Sequence, residues 1–181
     1  MGFDLYLRMV GEAVADFKGE ADSGPAEVKV ELPVNAHLPH DYVPGERLRL
    51  EAYRNLAQAS DDAAVDAVVE ELQDRYGALP EPAQSLVAVA RFRNVARAAG
   101  VTEVMLMGPA IKFAPAADLP ESRVMRLQRM YKGAQVKPAL NAVLIPRPKT
   151  APVGGKDLTD LPLLEWAAQV VRTIYSEDPT A

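Results

Sequence analysis

Apolar residues recur along this chain with two periods, and the switches between them divide it into elements. In residues 65–76, Val65, Val68, Val69, Leu72 and Tyr76 fall at i, i+3, i+4, i+7 and i+11, the buried stripe of an amphipathic α-helix. Gly77 follows, where a left-handed backbone costs glycine little, and Pro80 and Pro82 lie beyond it, so the helix should stop sharply. Ser60 is placed to cap its start, with Asp61 and Asp62 in a first turn whose dipole favours carboxylates. The same period predicts a helix over 3–17, with Tyr6, Met9, Val10, Ala13, Val14 and Phe17 on one face, and another over 46–58 with Leu48, Ala52, Tyr53 and Leu56 inward. Further helices are predicted over 83–98, closed by Gly100, over 121–132, ending at Gly133, and over 161–175, burying Leu164, Ala167, Ala168, Val171 and Tyr175.

The shorter period marks strands. Residues 27–32 alternate Glu, Val, Lys, Val, Glu, Leu until Pro33 ends the pattern. Segments 103–107 and 110–114 flank Gly108-Pro109 and predict a β-hairpin, and LNAVLI at 140–145 reads as a buried strand. Between these elements, 19–26 (GEADSGPA) has linker composition, 35–44 (NAHLPHDYVP) predicts an irregular loop, and 146–156 is a Pro/Gly loop. The expected class is α+β, several helices packed around a small mixed or antiparallel sheet, preceded by a linker-attached helix. The expected layout is a trailing helix of an upstream domain at 1–18, a linker at 19–26, one domain over 27–176 and a frayed tail at 177–181.

Composition narrows the function classes. The 181 residues suffice for one domain with a real core, and 49% hydrophobic with 25% charged residues is a globular balance. The absence of cysteine removes disulfides, thiolate metal sites and cysteine nucleophiles, and fits a cytoplasmic protein. No apolar run reaches the roughly 18 to 20 residues of a membrane span, so no membrane partner is expected. The net charge of −5 is unevenly spread: −10 over 1–81, +8 over 82–150 and −3 over 151–181. Such polarity can steer oppositely charged partners to different faces.

Candidate chemistry is sparse. His37 and His40 stand three apart beside Asp41, but a stable metal site needs three or four ligands, and the chain has no other histidine. Gly155-Lys156 lacks the glycine and hydroxyl residue of a phosphate loop, at Thr150 and Asp157. There is no nucleophile elbow, zinc-protease motif or dinucleotide loop, which favours a role without catalysis. Arg91, Arg93 and Arg97 make the fourth helix basic and motivate a nucleic-acid reading of the 82–150 section. By contrast, Arg123, Arg126, Arg129 and Lys132 recur every third residue and spiral around their helix. Glu71, Asp74 and Arg75 share one flank of the 65–76 helix, free to face solvent or a partner.

The strings VELPVNAHLPHDYVPGERLRLEAYRNLAQ and EELQDRYGALPEPA resemble the C-terminal domain of the bacterial transcription-repair coupling factor (Mfd) family. GFDLYLRMVGEAV resembles the end of that family's translocase region, and His40 stands where the family usually carries an acidic residue. The resemblance implies a fragment downstream of an ATP-driven DNA translocase whose ATP and magnesium sites, polymerase contacts and UvrA contacts lie upstream, leaving no cofactor here. It implies an autoinhibitory regulatory domain that packs on the N-terminal UvrB-like module of the same protein and masks UvrA recruitment until the motor engages stalled RNA polymerase. The family's Glu-Leu-x-Asp-Arg contact motif falls on Glu71, Asp74 and Arg75.

Overall fold

The computed structural model describes residues 27–116 and 119–175; the expected trailing helix at 1–18, the linker at 19–26 and the tail at 177–181 lie outside them. Among the described residues the fold is α+β, with five α-helices and a five-stranded mixed sheet. The chain divides into two compact units, with crossings after Pro33 and after Asn94.

In the first unit, residues 34–94, an irregular segment leads into α1 (Glu46–Gln58), followed by α2 (Asp62–Tyr76) and most of α3 (Glu81–Ala98). Val34, Ala36, Leu38 and Val43 of the segment are buried. Its backbone is satisfied from outside: the Leu38 amide donates to the Tyr53 hydroxyl at 2.7 Å and the His37 amide to the Pro82 carbonyl at 3.1 Å.

Two sequence expectations are corrected in α1 and α2. Leu48, expected inward, is 39% exposed, and buried Arg49 takes an inward place instead. The Arg49 Nη1 donates to the carbonyls of Val43 (2.9 Å) and Pro44 (3.3 Å), which lie in a segment with no ladder to satisfy them. The cap of α2 is Asp61 rather than Ser60: its extended backbone (φ −146°, ψ 170°) lets Oδ1 accept from the Ala64 amide at 2.7 Å. Gly77 ends α2 at φ 87°, as its position predicts. Val65 and Leu72 are buried, while Val68, Val69 and Tyr76 are half-buried.

The second unit holds the sheet, in the order β1-β2-β3-β5-β4. Strands β1 (Lys29–Glu31) and β2 (Glu103–Met107) run parallel; β2 with β3 (Ala110–Ala114), β3 with β5 (Ala142–Pro146), and β5 with β4 (Gln135–Lys137) are antiparallel. Val104, Phe113 and Val143 stand opposite one another across three strands, all buried, and Ile111 pairs with buried Ile145. Strand β4, Gln135–Lys137, is not among the strands expected from the sequence. Strand β5 starts at Ala142, not Leu140, because Asn141 at φ 49° separates it from a single 3₁₀ turn, Pro138–Leu140.

Helix α4 (Glu121–Met130) buries Leu127, and α5 (Asp160–Val170) buries Leu163, Leu164, Ala167 and Val170 before widening into a π turn at Val171–Tyr175. Leu163, Val170 and Ile174 widen the expected stripe: with Ala167 they stand at i, i+4, i+7 and i+11, a second buried row beside Leu164 and Val171, while Ala168 and Tyr175 are half-buried. Arg123 donates from Nη1 to the carbonyls of Tyr175 (2.9 Å) and Ile174 (3.4 Å), and Arg126 to that of Thr173 (3.3 Å). These cations cover the carbonyl end of the π turn, where unsatisfied oxygens carry partial negative charge.

Candidate docking interface

The flank predicted from sequence lies at the C-terminal end of α2. Glu71 and Arg75 are both more than half exposed and pair at 3.8 Å across one turn. Asp74 is exposed on the same flank and has no ion-pair partner among the described residues. The pair contributes little to stability, roughly 0.3 to 0.5 kcal/mol for an exposed i, i+4 arrangement.

A groove runs beside this flank between α1 and α2, lined by Leu48, Ala52, Val68, Leu72 and Tyr76, with Glu51, Asn55, Glu71 and Arg75 at its edges. It encloses about 30 Å³, room for a water or two. Ligand pockets start near 300 Å³, so this cleft suits surface contact rather than a small molecule.

Tyr42 holds the end of α2 in place. Its hydroxyl donates to the Gly77 carbonyl at 2.8 Å and lies 3.3 Å from the Leu72 carbonyl, two acceptors at the helix terminus. Its ring stands 5.7 Å from that of Tyr76 at 59°, a tilted aromatic pair. Burial, with the neighbouring Tyr76 phenol second, pushes the Tyr42 hydroxyl above the usual phenol range. Tyr42 belongs to an aperiodic stretch of the sequence, which gives no sign of this role.

The three arginines named for nucleic acid lie on α3. Arg91 places Nη2 2.6 Å from Asp66 Oδ1 and Nη1 3.6 Å from Asp62 Oδ1, joining α3 to α2. Arg93 and Arg97 are half-buried, and burial lowers the Arg97 guanidinium from its usual range. Among the described residues, no three His, Asp or Glu side chains gather as metal ligands, and no helix is long and apolar enough to cross a membrane. His37 is half-buried and His40 exposed.

A family model described as TRCF domain matches residues 32–124, just over half of the chain. A transcription-repair-coupling factor of Mycobacterium bovis is 43% identical over 185 residues, covering 96% of this chain and 15% of that protein. One of Escherichia coli is 32% identical over 109 residues, covering 58% of this chain and 10% of that protein. The crystal structure of a C-terminal domain of transcription-repair coupling factor superposes with a TM-score of 0.65 at 16% identity, covering 86% of this chain and 98% of that one, which bears on the fold alone. The chain thus spans about 15% of the length of the mycobacterial relative.

Proposed function

Because the chain belongs to the TRCF domain family, we propose that it is an autoinhibitory regulatory domain that docks through the C-terminal flank of α2 on the N-terminal UvrB-like module of its full-length protein. The observation that carries this reading is the exposed flank of Glu71, Asp74 and Arg75 beside a groove of mixed polarity too small for a ligand. Carboxylates presented beside a guanidinium pair directionally with a partner arginine and so fix orientation as well as affinity. Docking there would mask UvrA recruitment until the upstream motor engages stalled RNA polymerase. In this reading the domain itself is not catalytic and acts in the cytoplasm; DNA, ATP and magnesium belong to the motor.

The test is binding of the isolated N-terminal module to this chain, measured by calorimetry. Glu71→Lys with Asp74→Lys should weaken binding at least tenfold and expose UvrA docking in the full-length protein. Unchanged binding by the double variant would overturn the assignment.

A further inference from the structure

Three turns of the second unit converge at one end of its sheet. The β2–β3 turn, Gly108-Pro109, meets the end of β5, where Ala110 pairs with Pro146 and the Arg147 amide donates to the Pro109 carbonyl at 3.1 Å. Gly133, just after α4, lies against the same proline: a Cβ there would stand 3.0 Å from the Pro146 ring. From this end the chain continues as a narrow two-stranded ribbon, 147–158. Lys149 and Asp157 form an antiparallel bridge, the Leu158 amide donates to the Pro148 carbonyl at 2.9 Å, and Pro152-Val153 stands at the tip.

This end of the sheet is cationic and carries isolated apolar residues. Lys132, Lys149 and Lys156 are exposed and have no ion-pair partner among the described residues. The ribbon's carboxylate, Asp157, is held by Arg147 at 3.4 Å. Val153 is 90% exposed, and Met107 beside the β2–β3 turn 43%.

We infer that this end of the sheet is a binding surface for duplex DNA, with Lys132, Lys149 and Lys156 on backbone phosphates and the Pro152-Val153 tip as a wedge in a groove. A two-stranded ribbon, its strands about 5 Å apart, is narrow enough to enter a groove. Apolar wedges flanked by cations are the means by which groove-binding arms part base steps. A stable protein partner would need roughly 800 Å² from this side, more than one ribbon tip supplies. The whole chain carries −5, so attraction to phosphate has to come from a local patch. The inference is independent of the docking reading and involves none of the α3 arginines.

The experiment titrates this chain into a labelled duplex of about 20 base pairs, read by fluorescence anisotropy at about 25 and about 100 mM salt. With three phosphates contacted, that rise in salt should weaken binding about 40-fold. Lys149→Gln with Lys156→Gln leaves one contact, so binding at low salt should fall at least about tenfold and the salt effect shrink to about fourfold. Lys137→Gln removes an exposed lysine opposite Ala142, about 13 Å along the sheet from Pro146, and should change affinity less than about twofold. Val153→Ser should weaken binding about two- to fivefold with the salt effect unchanged, because it removes the wedge and no charge. No binding at low salt, an equal loss in Lys137→Gln, or full affinity in Val153→Ser would overturn the inference. Tighter binding of a polyglutamate peptide than of the duplex would overturn it in favour of an acidic protein partner.

Discussion

The Tyr42 hydroxyl donates a 2.8 Å hydrogen bond to the carbonyl of Gly77, thirty-five residues away, and so ties an irregular loop to the end of the helix that bears the candidate contact residues. Tyr42→Phe removes that bond and keeps the ring against Tyr76. We expect a loss of about 0.5 to 1.5 kcal/mol in urea unfolding, with faster amide exchange in the last turn of α2.

The phenols set an alkaline limit. Burial raises Tyr42, Tyr131 and Tyr175 above the usual phenol range, with Tyr175 moved furthest. A raised folded-state value means the protonated phenol is favoured in the fold, so this stability is fully present below the unfolded value near pH 10 and is lost as pH climbs past it. Melting temperature should therefore fall from about pH 10 upward, and Tyr175→Phe should flatten that fall. A decline equally steep in the variant would contradict the assignment.

Arg49 is a buried cation whose partners are main-chain oxygens. Arg49→Ala leaves the carbonyls of Val43 and Pro44 without their donor and removes a packed stem, at a cost of about 2 to 4 kcal/mol. Arg49→Met restores the packing without the donor and should recover part of that loss in denaturant titration.

Phe113 is fully buried at the centre of the sheet, 6.0 Å from the ring of Trp166. Phe113→Ala should cost about 3 to 5 kcal/mol and shift the emission of Trp166, the single tryptophan of the chain. An unshifted spectrum would place the indole in a different environment.

Gly155 sits in a turn closed by the Thr150 amide on the Lys156 carbonyl at 2.8 Å and the Lys156 amide on Thr150 Oγ1 at 3.1 Å. A Cβ at Gly155 would overlap the backbone of Ala151. Gly155→Ala should therefore open the turn, read as new proteolytic cleavage within 150–156, while the global melting temperature moves by less than about 3 °C.

Local signals determined much of this protein from the sequence alone. The limits of α1, the hairpin of β2 and β3 and the stop of α2 at Gly77 follow from period and turn chemistry, because those forces act within a few residues. Glu71, Asp74 and Arg75 could be placed on one flank for the same reason. Tertiary structure alone decided which polar groups distant in sequence meet. That Arg49 goes inward while Leu48 stays out, that Arg91 is spent on Asp62 and Asp66, and that Tyr42 closes α2 all depend on partners brought from elsewhere in the chain. A hydrogen bond or ion pair requires a partner within a few ångströms, and folding, not spacing, brings it there.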